Sequence, residues 1–107
     1  MKKYDLYKVN IYPSAEKDLR EIKNYFENSL HTSTKNLVEK FYKDIGLLET
    51  FPFSFPAVKD PFLNSLGYRM IAIDNYIVIY VVQDDEVQIH LFIYGKRNYL
   101  SFLKYIS

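Results

Sequence analysis

The chain has 107 residues, 49% of them apolar, a formal net charge of +1 and no cysteine. That length suits one domain spanning 1–107 with a single modest core, and the missing cysteine excludes disulfides, thiolate metal sites and a cysteine nucleophile. Near-neutral charge excludes a molecule-wide field for nucleic acid and leaves only a local basic patch, while the lack of a signal-length apolar stretch or a run of roughly 20 apolar residues predicts a cytoplasmic protein with no membrane contact.

Tyr7 to Tyr12 alternates with period two and predicts a short strand, with Val9 and Ile11 on one face and Lys8, Asn10 and Tyr12 on the other. Pro13 should stop it, and Ser14 stands where a helix N-cap belongs. Ala15, Leu19, Ile22, Phe26 and Leu30 then form one amphipathic stripe, predicting a first helix that ends near Asn28-Ser29. After the polar turn His31 to Thr34, a second stripe (Leu37, Val38, Phe41, Ile45, Leu48) predicts another helix through about Thr50, antiparallel to the first as a hairpin. Pro52 and Pro56 cannot continue it, so 51–66 reads as a loop.

Three strand-like runs follow. Tyr68 to Ile73 alternates around Arg69, Asp74-Asn75 suits a tight hairpin, and Tyr76 to Val82 is apolar enough for a central strand covered on both faces. After the turn Gln83 to Glu86, a final strand should place Val87, Ile89, Leu91 and Ile93 on one face and Gln88, His90, Phe92 and Tyr94 on the other. Beyond Lys96-Arg97, the residues Tyr99, Leu100, Phe102, Leu103 and Ile106 predict a short terminal helix packed on something apolar. The expected architecture is α+β: a small antiparallel sheet, made of the N-terminal strand and the C-terminal meander, packed against a helix hairpin.

Eleven tyrosines and eight phenylalanines exceed what so small a core hides, so some tyrosine should lie at the surface, as partner-binding area or as packing at the sheet margin. Common catalytic motifs are missing from a chain with three glycines. No metal site or cofactor is expected, since His31 and His90 have no second imidazole or thiolate at ligand spacing. His90 is a weak candidate for acid-base chemistry, set against a plain surface position on a strand. Arg69, Lys96 and Arg97 are the basic candidates for a phosphate, with Tyr99 beside them; the alternative is an Arg69 paired with a carboxylate and a solvated Lys96-Arg97 turn.

The order of these elements, with Ser14 to Leu19 opening the first helix, Tyr68-Arg69-Met70 opening the meander and Gly95-Lys96-Arg97-Asn98-Tyr99 closing it, resembles the RelE/ParE superfamily of type II toxin-antitoxin toxins. The resemblance implies that the first strand joins the sheet edge beside the last strand, and that a cognate antitoxin neutralises the chain, as part of a dimer or a toxin–antitoxin hetero-oligomer. In the RelE-type endonucleases an arginine follows the tyrosine of the central strand, and a tyrosine or histidine comes several residues after the Lys-Arg turn. This chain has Ile77 and Leu103 there. It therefore looks closer to the ParE branch, which implies a non-enzymatic inhibitor of DNA gyrase. The alternatives are a ribosome-dependent mRNA endonuclease and a degenerate, non-toxic member.

Overall fold

The computed structural model describes residues 6–95. The terminal helix expected after Lys96-Arg97 lies outside the described residues. The elements are β1 (Lys8–Ile11), α1 (Pro13–Asn24) running into a π-helical turn (Tyr25–Ser29), α2 (Lys35–Leu47), α3 (Pro61–Ser65), β2 (Arg69–Ile73), β3 (Tyr76–Gln83) and β4 (Glu86–Tyr94).

The sheet order is β1-β4-β3-β2. The meander pairs antiparallel, Ile73 opposite Tyr76 and Gln83 opposite Glu86 across the two turns. Both turns need backbone that few residues tolerate. Asp84 and Asp85 take φ of 51° and 64° and Asp74 takes 54°, a left-handed region in which aspartate is among the least strained side chains, and two consecutive such residues match the twist of a tight hairpin.

β1 does join the sheet beside β4, but it runs parallel to it, Lys8 opposite Glu86 through Ile11 opposite Ile89. The expected all-antiparallel sheet is thus corrected to a mixed one. A parallel neighbour cannot be joined by a tight turn: α1 and α2 form a crossover that carries the chain from β1 to β2 at the opposite edge, and two hairpins return it to β4. α1 lies over β4 and α2 over β2, so the crossover also covers one face of the sheet.

The helix start differs from expectation as well. Pro13 does not separate strand from helix; it occupies the first helical turn, where its missing N–H costs nothing. Tyr12 is the N-cap residue, and its carbonyl accepts the Ala15 and Glu16 N–H groups at 2.9 and 3.0 Å. Ser14, freed from capping, donates its hydroxyl to the His90 carbonyl at 2.6 Å. The segment 51–66 is not all loop either: Asp60 caps α3, its carboxylate accepting the Leu63 N–H at 3.0 Å, with Pro61 following.

The core has two parts, one on each side of the sheet. On the helix side Ala15, Leu37, Phe41, Ile45 and Leu48 meet Ile71, Val78, Tyr80 and Phe92, and Phe41 stacks on Phe92 with centroids 4.6 Å apart. On the opposite side Ile77, Ile79, Val81, Leu91 and Ile93 are covered by Val58, Leu63 and Tyr68. β3 alternates between these sides without interruption, as a strand buried on both faces should.

β4 does not. Tyr80 pairs with Ile89 and Ile79 with Leu91, which leaves His90 as an extra residue in a β-bulge. Val87 and Ile89 point to the helix side, whereas Leu91 and Ile93 point to the other. The expectation that all four share one face is overturned, because a single inserted residue reverses a period-two pattern.

Candidate functional site

Arg69 opens β2 opposite Tyr80. Its guanidinium Nη1 donates to the Phe55 carbonyl at 2.7 Å and the Phe53 carbonyl at 3.2 Å. Its Cζ lies 5.2 Å from the centroid of the Phe53 ring, a cation-π arrangement. Beneath it the fully buried Tyr80 donates its hydroxyl to the Pro52 carbonyl at 2.8 Å. Together the two side chains fasten the stretch 52–55 by its Pro52, Phe53 and Phe55 carbonyls, which lie outside any strand or helix. Burial pushes the Tyr80 phenol up to about 12, with the Arg69 charge and a backbone contact at Phe55 acting in the opposite direction. At neutral pH the hydroxyl is therefore a proton donor, as its bond to Pro52 requires.

Lys96, Arg97 and Tyr99, the other members of the basic and aromatic cluster, lie outside the described residues. Arg69 is the member whose surroundings are visible, and its partners are main-chain carbonyls.

His90 is buried at 6% exposure, in contrast to the surface position that a simple alternating strand implies. The bulge turns its ring beneath Tyr12, stacked at 4.6 Å, and edge-on to Tyr68 at 5.5 Å. Its Nε2 faces Gln88 Oε1 at 3.4 Å, and Gln88 in turn donates to Glu86 at 3.1 Å. Nδ1 is buried without a hydrogen-bond partner. Burial lowers the His90 pKa from its ordinary value, so the ring is neutral at neutral pH. Burial, with the neighbouring Tyr12 second, raises Tyr68. A neutral ring enclosed by aromatics holds a strand in place, and it presents no open nitrogen to a substrate.

A groove that the sequence pattern misses lies between α1 and the outer side of β4. β1 pairs with β4 only as far as Ile89. Beyond that point α1 supplies polar side chains in place of a strand: Ser14 takes the His90 carbonyl, and the Asp18 carboxylate accepts the Phe92 N–H at 3.1 Å. Past Asp18 the helix and strand part around a cavity of about 460 Å³, walled by Asp18, Glu21, Ile22, Tyr25, Tyr76 and Tyr94. Burial, then the phenols of Tyr25 and Tyr94, raise the Tyr76 pKa. Glu21 also faces Lys17 at 3.9 Å, a solvent-exposed contact. The signal available in the sequence was the facing pair Tyr76 and Tyr94 with Tyr25 one turn beyond Ile22, but which side of the sheet Tyr94 takes depends on the bulge.

Among the described residues no group of three or more His, Asp or Glu side chains is arranged to hold a metal ion, and no helix is long and apolar enough to cross a membrane. Comparison with curated proteins finds no significant match. Residues 9–99 match the family described as ParE toxin of type II toxin-antitoxin system, parDE.

Proposed function

The chain belongs to the ParE toxin family of type II toxin-antitoxin systems, and on that premise we propose that it arrests growth by binding and inhibiting DNA gyrase in the cytoplasm, with no chemistry of its own. Membership implies a cognate ParD antitoxin as partner. The observation that carries the reading against a nuclease is the engagement of Arg69: a guanidinium committed to the Phe53 and Phe55 carbonyls serves the fold first. Ile77 and Leu103 at positions where the related endonucleases carry functional groups support the same conclusion. A buried neutral His90 offers no accessible acid or base.

The deciding experiment is DNA supercoiling by purified gyrase titrated with the purified chain. The expected result is loss of supercoiling, relieved by a cognate ParD antitoxin. Full gyrase activity at saturating protein, together with codon-specific mRNA cuts in a translating extract, would move the assignment to the ribosome.

A further inference from the structure

We propose that β1 is a self-pairing edge: two copies of the chain join antiparallel through the outer sides of their β1 strands, about a two-fold axis at Asn10.

The sheet has two outer strands, β1 and β2, and the chain treats them differently. Along β2 the stretch 56–58 already lies alongside, the Met70 N–H donating to the Pro56 carbonyl at 3.0 Å and the Val58 N–H to the Tyr68 carbonyl at 2.9 Å. β1 has no such cover. Lys8 and Tyr12 direct their N–H groups to the Asp85 and Ile89 carbonyls, on the β4 side, and the period of two directs those of Val9 and Ile11 away from it. Among the described residues neither of these outward N–H groups meets an acceptor from another segment. The N–H and C=O groups of Val9 and Ile11 therefore form an open template for another strand.

Their spacing points to a second copy as that strand. Val9 and Ile11 stand one residue to either side of Asn10, so a two-fold axis there sets Val9 of each copy against Ile11 of the other and closes both pairs with two hydrogen bonds. The ladder then ends without orphans. The Tyr7 N–H is already held by the Glu49 carbonyl at 2.9 Å, and Pro13, at the other end, has no N–H to pair. Charge does not oppose the contact: the chain carries a net +1, and the two Lys8 residues stand about 14 Å apart along the ladder, beyond the screening length of physiological salt.

Packing gives an independent sign. The Val9 and Ile11 side chains lie on the helix face of the sheet. With Tyr42, Ile45 and Gly46 of α2 they line a shallow groove of about 210 Å³ along the open edge. Glycine inside a helix costs stability relative to alanine, yet a Cβ at Gly46 would meet nothing within 4 Å. The chain alone has no use for that missing methyl group. A second copy does, because pairing brings its Val9 and Ile11 side chains alongside the same groove. A four-residue strand and one groove bury less than about 1,200 Å² in total, the size of a reversible contact.

The test combines cross-linking with sedimentation of the full chain, which has no native cysteine. In the paired dimer the two Asn10 residues are direct neighbours outside the hydrogen-bonded pairs, with Cα atoms about 4.5 Å apart, a separation that a disulfide spans. Asn10→Cys should therefore oxidise to a covalent dimer. Lys8→Cys, on the same face but about 14 Å from its counterpart, should not. The parent should sediment as a reversible monomer–dimer mixture in the micromolar range. Val9→Pro, which removes an outward donor and leaves the bonds to β4, should sediment as a folded monomer. Gly46→Ala should weaken association at least about tenfold by filling the groove, with no fall in thermal midpoint. A parent that stays monomeric to hundreds of micromolar overturns the proposal, as does equal cross-linking at the two cysteines or a Gly46→Ala chain that associates as tightly as the parent.

Discussion

The two faces of the sheet are built differently. The helix face is packed by two amphipathic helices that place Phe41, Ile45 and Leu48 against Val78, Tyr80 and Phe92. The opposite face is covered by a short stretch holding one brief helix, Val58 and Leu63 of α3 with Tyr68, and by the buried imidazole of His90 beside them. A helix stripe yields a deep interdigitated layer, while a wrapped segment yields a thin one that can settle when an atom is removed. The contrast predicts where the fold is least tolerant and separates residues that hold it from residues free to meet a partner.

The sharpest way to test this contrast is Phe41→Ala. It removes the ring stacked on Phe92 and should destabilise the protein by about 3–5 kcal/mol in urea unfolding. Leu63→Ala on the thin face should cost about 2–3 kcal/mol, the lower part of the range for such truncations, because its cover can relax into the space. Equal losses at the two positions would break the comparison.

Arg69→Ala should cost less again, about 1–2 kcal/mol, since the Phe53 and Phe55 carbonyls it releases lie near solvent and water replaces the lost donor. Proteolysis should then begin within 51–56, the stretch it fastens. An unchanged cleavage pattern would remove its assigned role.

The smallest effect is the pH response of His90. Its folded pKa lies below the unfolded value near 6.5 because burial disfavours the charged ring. The stability it contributes is therefore complete above that unfolded value and is lost as pH falls through the lower folded one. His90→Phe, which keeps the ring packing between Tyr12 and Tyr68, should flatten the decline in urea midpoint between about pH 7 and about pH 5. A variant that declines as steeply as the parent would show that other groups govern the acid limb.

The sequence made much of this architecture legible and hid the parts that depend on contacts between distant segments. Apolar spacing located both helices and all four strands, because burial on one face or two writes itself into periods of 3.6 and 2.0. Period says nothing of direction, so the parallel pairing of β1 was invisible. The bulge at His90 was invisible too, since the run Val87 to Tyr94 alternates smoothly and the inserted residue appears only when β4 is set against β3. α3 was there to be read: Asp60-Pro61 is a cap followed by a favoured first residue. At the candidate site, the cation at position 69 was plain, but its binding of carbonyls 14 and 16 residues away was not. Likewise the groove requires α1 and β4 to meet across more than 70 residues of chain, as Ser14 and His90 do.

The most direct test of the central claim, a toxin that acts by binding through a surface independent of Arg69, is gyrase supercoiling titrated in parallel with the parent chain and Arg69→Lys at matched folded fraction. Both should abolish supercoiling at the same concentration. Full supercoiling at saturating parent protein, or inhibition lost with Arg69→Lys while the fold is intact, would contradict it.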